Sequence, residues 1–316
     1  MLDISVIIVS YNTAELTKKA LDHVFDSLHD LKMQVIVIDN DSKDHTADIL
    51  RREYSSITLI ENNQNIGFGR ANNQALPYLN SRYVLLLNSD AFVERDTIAK
   101  TVRYMDEHPK CGILGVKFLG RRGELQPSCR YFPTPWNIFL NRTGLKYFFT
   151  HAKMVDDMSW DHGSVRQCDW VPGCYFLIRK DLIDQIGLFD HRYFLYYEEI
   201  DFCFAAKAAG WEVTYYPYTT VVHLGGESAK SEGALTSSGR QIEALQIESE
   251  LLYFRKHYGL IGVLAHLLLN SITDTAQFFK DALKLRPSTR IWSNLRRALI
   301  VWKTFFHTKF GTVSIH

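Results

Sequence analysis

The sequence predicts an α/β protein, a mostly parallel sheet with helices on both faces, followed by a helical C-terminal region. Three observations lead there. Short, wholly apolar runs recur in the first 120 residues, and strands buried on both faces read this way. Segments with helical apolar spacing separate them. From Gly239 onward the pattern is helical throughout.

Taken in order, Ile4–Val9 is a β-branched strand that ends in Ser10-Tyr11-Asn12. Ala14–Ser27 is a helix, with Leu16, Ala20, Leu21, Val24, Phe25 and then Leu28 at helical spacing. Val35–Ile38 is a second buried strand, closed by Asp39-Asn40-Asp41-Ser42. Thr46–Tyr54 reads as a helix, Thr58–Glu61 as a strand, Gly69–Leu79 as a helix and Tyr83–Leu87 as a strand. Thr97–His108 and Gly112–Phe118 add one more helix and strand. Residues 121–170, with Pro127, Pro133 and Pro135, read as loops. Val171–Arg179 is a turn feeding a strand, and Ile186–Asp190 is turn-rich. Glu198–Ala209 is a helix ended by Gly210, followed by two short strands, Val213–Tyr216 and Thr220–His223. Arg240–Tyr258 is amphipathic, and the domain boundary is expected near 230–240.

Composition bounds the function. The chain has 316 residues, 46% of them hydrophobic and 13% aromatic, enough for a sizeable core. With 22% charged residues, 18 Gly and 8 Pro, disordered and collagen-like classes are excluded. A net charge of +1 gives no global field for nucleic acid. The five cysteines (Cys111, Cys129, Cys168, Cys174, Cys203) are odd in number and include no C-x-x-C pair, so reduced thiols are expected. No signal peptide precedes the first strand, and no window of about 18 residues is uninterruptedly apolar, so an intracellular, soluble or surface-bound protein is expected.

Three strands end in polar clusters: Ser10-Tyr11-Asn12, Asp39-Asn40-Asp41 and Asn88-Ser89-Asp90. Any one of them is explained by capping, since Asn, Asp and Ser favour caps and turns. Three together point to one concave site outside the carboxyl ends of the strands.

These clusters, with NIGFGRANN (65–73), VPGCYFLIRK (171–180), LFDHRYFLYYEEIDF (188–202) and VVHLGGES (221–228), resemble the inverting family 2 glycosyltransferases of the GT-A fold. The resemblance runs from about Ile4 to about Ser228, and the rhamnosyltransferase-like branch is the most similar. It implies a nucleotide-diphospho-sugar transferase fold, a Rossmann-like mixed sheet with helices on both faces. Residues 1–235 then form the catalytic domain (1–120 the nucleotide-sugar half, 121–235 the acceptor half), and 236–316 the helical region.

The resemblance also implies roles. Asp39 matches the aspartate that hydrogen-bonds the pyrimidine, in a pocket lined by Ser10, Tyr11 and Asn12; a carboxylate accepts from N3–H of uracil or thymine. Asn65, Gly67 and Arg70 belong to the stretch that approaches nucleotide and sugar, with the guanidinium as diphosphate or ribose partner. The G-x-G there is no dinucleotide fingerprint, because Asn72 replaces the third glycine. Asn88-Ser89-Asp90 stands at the D-x-D position, with Asn88 in place of the first aspartate. Asp90 is the expected ligand of Mg²⁺ or Mn²⁺, and His223 matches a histidine that closes the metal shell. Glu199 is the candidate general base, with Glu198 or Asp201 orienting it or binding a sugar hydroxyl. Helix-dipole acids are the bland alternative for this trio. Trp170 flanks the turn used for acceptor and donor sugar.

Between Lys280 and Lys309 lie eight basic residues and one acid, Asp281, interleaved with Trp292, Trp302, Phe305 and Phe306. This describes an amphipathic helix lying on anionic lipid, with Arg296 and Arg297 among the contacts. Leu260–Leu269 is too short to span a bilayer. Packing onto the catalytic domain, or across a homodimer, is the alternative. The expected function is transfer of L-rhamnose from dTDP-rhamnose to a glycan or polyprenyl-diphosphate-linked acceptor in cell-surface polysaccharide synthesis, at the inner face of the plasma membrane. A UDP-hexose or UDP-galactofuranose donor, a sugar nucleotidyltransferase and a non-catalytic glycan-binding scaffold are the alternatives.

Overall fold

In the computed structural model, residues 1–27, 30–149, 151–225 and 240–316 are described. Leu28 and the end of the 221–228 motif lie outside them. The first unit comprises Met1–Arg130, Met158–His191 and Glu198–Gly239, and it contains the whole sheet. Its strands are β1 (Leu2–Ser10), β2 (Met33–Asp39), β3 (Thr58–Glu61), β4 (Ser81–Asn88), β5 (Ala91–Val93), β6 (Cys111–Leu119), β7 (Leu125–Gln126), β8 (Arg166–Gln167), β9 (Tyr175–Arg179) and β10 (Glu212–His223). The order is β3-β2-β1-β4-β9-β6-β10-β5, with β7 on β6 and β8 on β10. The β3-β2-β1-β4 block is parallel, as is β6-β10; β9 runs antiparallel between β4 and β6, and β5 antiparallel on β10. The sheet is therefore mixed, parallel where the apolar runs predicted it.

Alternation along the strands explains why those runs are unbroken. Ile4, Val6 and Ile8 of β1 join Val35, Val37, Leu85 and Leu87 in one core with Leu21 and Val24 of helix α1 (Ala14–Asp26). Ile7, Ile36, Val84 and Leu86 point to the other face and are equally buried. The remaining helices of this unit are α2 (Thr46–Glu53), α3 (Phe68–Asn73), α4 (Thr97–Glu107), α6 (Lys180–Ile186) and α7 (Glu198–Ala208).

Several boundaries differ from the expectation, each for a local reason. The helix expected over Gly69–Leu79 stops at Asn73 and gives way to a 3-10 turn at Leu76–Tyr78, where Pro77 has no N–H to continue it. The two strands expected at 213–216 and 220–223 are one, β10, with its register shift around Pro217. The loops expected over 121–170 include α5 (Pro135–Thr143). Pro135 there is a helix starter, not a breaker, behind a capping box of Thr134 and Asn137, and Gly144 at φ 78° ends the helix. All five cysteines are buried thiols outside any disulfide.

The second unit comprises Tyr131–Asp157, Arg192–Tyr197 and Arg240–His316. It holds α5, α8 (Arg240–Leu283, broken at Gly259, φ 66°) and α9 (Ser288–His307). Glu243–Leu283 is long and apolar enough to cross a membrane by length and composition, a test that core helices also pass. A buried polar network holds this unit together. Arg142 of α5 donates to Asn270 and Asp274, Asn270 bonds His266 at 2.8 Å, and His266 lies 3.2 Å from Glu250. Arg297, expected at a lipid surface, donates to Glu243 at 2.8 Å and lies 3.9 Å from the buried Asp274. It belongs to the packing.

Candidate active site

Strand register assembles the polar clusters. Ser10 pairs with Asp39, Val9 with Asn88, and Asp39 with Glu61. The ends of β1, β2, β3 and β4 thus lie side by side at the carboxyl edge, where open α/β sheets bind ligands.

On the β2 side, Asp39 is buried, and its Oδ2 accepts from the Ser42 N–H at 3.3 Å. Oδ1 has no hydrogen-bond partner among the described residues. Burial pushes the carboxyl pKa up, partly offset by the bonds from Ser42. An enclosed acceptor of this kind suits one N–H of a flat heterocycle. Asn12, at φ 51°, accepts from Lys43 N–H at 2.6 Å through Oδ1 and takes its own N–H to Ser42 Oγ at 2.9 Å. Its side chain shapes the loop after β2. Ser10 Oγ lies in a buried hydroxyl chain with Thr17 (2.8 Å) and Thr13 (3.2 Å), and Thr13 donates to Ser89 at 3.0 Å. Both serines therefore bind the end of β1 to the turn after β4. Tyr11 is half-buried beside them.

Asn40 is the organiser that the sequence did not single out. Its Nδ2 donates to Asn65 Oδ1 at 2.8 Å, and its Oδ1 accepts from Asn62 Nδ2 (3.0 Å) and Ile66 N–H (3.2 Å). Asn65 Oδ1 also accepts from Gly67 N–H at 3.0 Å. Gly67 holds φ 87°, ψ 168° at the start of α3, a conformation that a Cβ strains. Arg70, half-buried, donates its Nε to the His191 carbonyl at 2.7 Å, and Asn73 exchanges two bonds with Phe189 (2.7 and 3.0 Å). These bonds fix α3 against the turn that the sequence placed at 186–190.

The turn after β4 carries Asp90, buried, and antiparallel pairing sets Ala91 opposite His223. His223 Nε2 lies 3.5 Å from Asp90 Oδ1 and has no hydrogen-bond partner among the described residues. Burial pulls the imidazole pKa down, against the pull of Asp90. His223 Nδ1 and carbonyl both meet the Gln126 amide, at 3.1 and 3.0 Å. A ring nitrogen and a carboxylate oxygen facing each other without a bridging hydrogen bond suit a cation. No cluster of three or more His, Cys, Asp or Glu able to hold a metal is present among the described residues. The protein side therefore fits a hard cation bound by few side chains together with substrate oxygens.

The acids open α7. Glu198 and Asp201 are buried, and Glu199 is half-buried with Oε2 enclosed and without a hydrogen-bond partner among the described residues. Burial raises the Glu199 pKa, against backbone hydrogen bonds and the charge of Arg130. A Cβ on Gly173 would lie 3.8 Å from Phe68 and 3.9 Å from Glu199, so the 171–174 turn lies against both α3 and Glu199. The Cys174 carbonyl accepts from Asn88 N–H at 3.2 Å, and its buried thiol is pushed up by burial and by the charges of Asp90 and Glu199. Candidate metal ligand and candidate base thus flank one turn. Trp170 is buried under the Arg130 guanidinium, 4.1 Å from its ring centroid. Arg130 and Gln126 stand in segments without a motif, and Asn40, though inside the Asp39-Asn40-Asp41 cluster, shows its role only through its partners across the fold.

A sheet of this order, with its polar carboxyl edge, has the GT-A glycosyltransferase fold. It is shared with the mannosyltransferase PcManGT from Pyrobaculum calidifontis, solved with GDP-Man and Mn²⁺: TM-score 0.55, 16% identity, covering 98% of this chain and 89% of that one. Residues 5–159 match Glycosyl transferase family 2, and the chain carries a glycosyltransferase domain of that family. Similar relatives include the N-acetylglucosaminyl-diphospho-decaprenol L-rhamnosyltransferase of Mycobacterium tuberculosis, 26% identical over 60% of this chain and 66% of that protein's length. The rhamnosyltransferase WbbL of Escherichia coli K12 is 24% identical over 72% of this chain and 85% of its own.

Proposed function

We propose that this chain is an inverting, cation-dependent hexosyltransferase that moves a sugar from a pyrimidine-nucleotide donor to an acceptor hydroxyl. The observation that carries the reading is the pair of acids on either side of the Cys174 turn, Asp90 facing His223 and Glu199 enclosed at the start of α7. Asp39 accepts from the pyrimidine N3–H, and Asn40 holds Asn65 and Gly67 so that backbone approaches the nucleotide. Asp90 and His223 are the residues to hold Mg²⁺ or Mn²⁺. When bound, such a cation neutralises charge on the departing diphosphate. Glu199 takes the proton of the attacking hydroxyl, and its enclosure keeps water from competing for it.

The rhamnosyltransferase relatives support dTDP-L-rhamnose as donor and a lipid-diphosphate-linked glycan as acceptor. Asp39 reads uracil and thymine alike, so UDP-hexoses and UDP-galactofuranose belong in the same screen. A lipid-linked acceptor fits the second unit. Ile261, Leu264, Leu268, Ile272, Phe279 and Leu283 form an exposed apolar stripe along α8. From residue 251 to the C-terminus the acids are Asp274 and Asp281, both buried, whereas Lys280, Lys284, Arg286, Arg296 and Lys303 are exposed. An apolar stripe with uncompensated positive charge suits the anionic inner face of a plasma membrane. The test of the reaction is a donor screen read by nucleoside diphosphate release with lipid-diphosphate acceptors. Release from dTDP-rhamnose alone supports the full reading, release from a UDP-sugar moves the donor, and release from none overturns the transferase assignment.

A further inference from the structure

The Gln126 amide has only one workable orientation. Its nitrogen lies 3.0 Å from the His223 carbonyl, which can only accept, so that atom is the NH₂ donor. The oxygen is then the atom 3.1 Å from His223 Nδ1. An amide oxygen can only accept, so Nδ1 carries the ring proton and Nε2 presents a lone pair. That lone pair faces Asp90 Oδ1 at 3.5 Å, in a pocket where Phe118 stands 6.2 Å from the imidazole. Without Gln126, the free ring would gain by turning to the other tautomer, with Nε2–H donating to Asp90, and the cation position would close.

We infer that Gln126 is a positioning residue that locks His223 as the Nδ1–H tautomer and so keeps the Nε2 lone pair, beside Asp90, directed to a divalent cation. The two residues are 97 positions apart and meet because β7 and β10 both flank β6. Gln126 acts through His223, the residue its amide holds at both ends. This inference rests on the cation reading of the Asp90–His223 pair, and the experiment separates the two.

The probe is Mn²⁺ titrated with dTDP into the full chain and followed by electron paramagnetic resonance, beside ¹⁵N NMR of the histidine rings in metal-free protein. The His223 signals are assigned by their loss in His223→Ala among the chain's 12 histidines. The wild type is expected to show protonated Nδ1 and bare Nε2. Gln126→Leu should shift His223 toward the Nε2–H form and weaken Mn²⁺ binding by about 10–100-fold, the usual effect of losing a ligand's orienting partner. Gln126→Glu keeps an acceptor for Nδ1–H and should recover binding to within about three-fold of wild type, which a merely structural role would not produce. Nε2–H in the wild type, or Gln126→Leu with unchanged tautomer and Mn²⁺ affinity, overturns the role of Gln126. A wild type that binds no Mn²⁺ overturns the cation reading itself.

Discussion

Glu199→Gln should separate catalysis from stability in opposite directions. The carboxyl is enclosed, and burial raises its pKa above the ordinary 4.5. A carboxylate in such a site is a stronger base than a free one, and it is also a costly one to keep ionised. Gln keeps the shape but accepts no proton, so kcat should fall by about 10²–10⁴-fold, with donor affinity held within a few-fold. The stability sign follows from linkage. A group whose folded pKa is raised stabilises fully below the unfolded value and loses that contribution as pH rises through the folded pKa, at about 1.4 kcal/mol for each pH unit of separation. Wild type and variant should therefore melt most alike near pH 4, and the variant should gain relative to wild type from there to pH 8. The amide NH₂, placed at the unpartnered Oε2 position, subtracts part of that gain. The assay is nucleoside diphosphate release at saturating donor, paired with thermal unfolding at pH 4, 6 and 8. A kcat within a few-fold of wild type would refute the base assignment. A variant that loses stability relative to wild type as pH rises would refute the burial argument. In the wild type, kcat should rise with pH through the raised Glu199 pKa, and the variant should lack that limb.

Three further outcomes are expected. Asp90→Ala, and chelation of the wild type with EDTA, should each nearly abolish turnover; full activity of the variant in chelator would remove Asp90 from any metal role. Arg296→Glu with Lys303→Glu, both exposed, should release the chain from anionic liposomes in co-sedimentation, and binding should weaken with salt. Equal binding to neutral and anionic vesicles would refute the electrostatic contact, and binding to neither would favour packing or a dimer. Gly67→Ala should cost roughly 1–3 kcal/mol of strain at φ 87° or displace the start of α3, read as a lower melting temperature and a raised donor KM. An unchanged KM and melting temperature would mean that the 65–70 segment tolerates a Cβ.

The local parts of this protein are legible in its sequence because the forces that shape them act between near neighbours. An unbroken run such as Val35–Ile38 states that both faces are covered, and the polar residues after it state where the strand ends. Asp39 and Asp90 follow strand ends and Glu199 opens a helix, so each is legible in the sequence as a candidate. Proline misled the same reading twice, since Pro135 starts a helix and Pro77 stops one, and their roles depend on caps and partners beside them. Tertiary structure decided everything that depends on register between distant strands or on burial. Gln126 meets His223, and Asn40 gathers Asn62, Asn65 and Gly67, through contacts no periodicity encodes. Arg296 and Arg297 are adjacent and identical in the sequence. One faces solvent and the other bonds Glu243, because a helix turns about 100° per residue and only packing determines which side is inside.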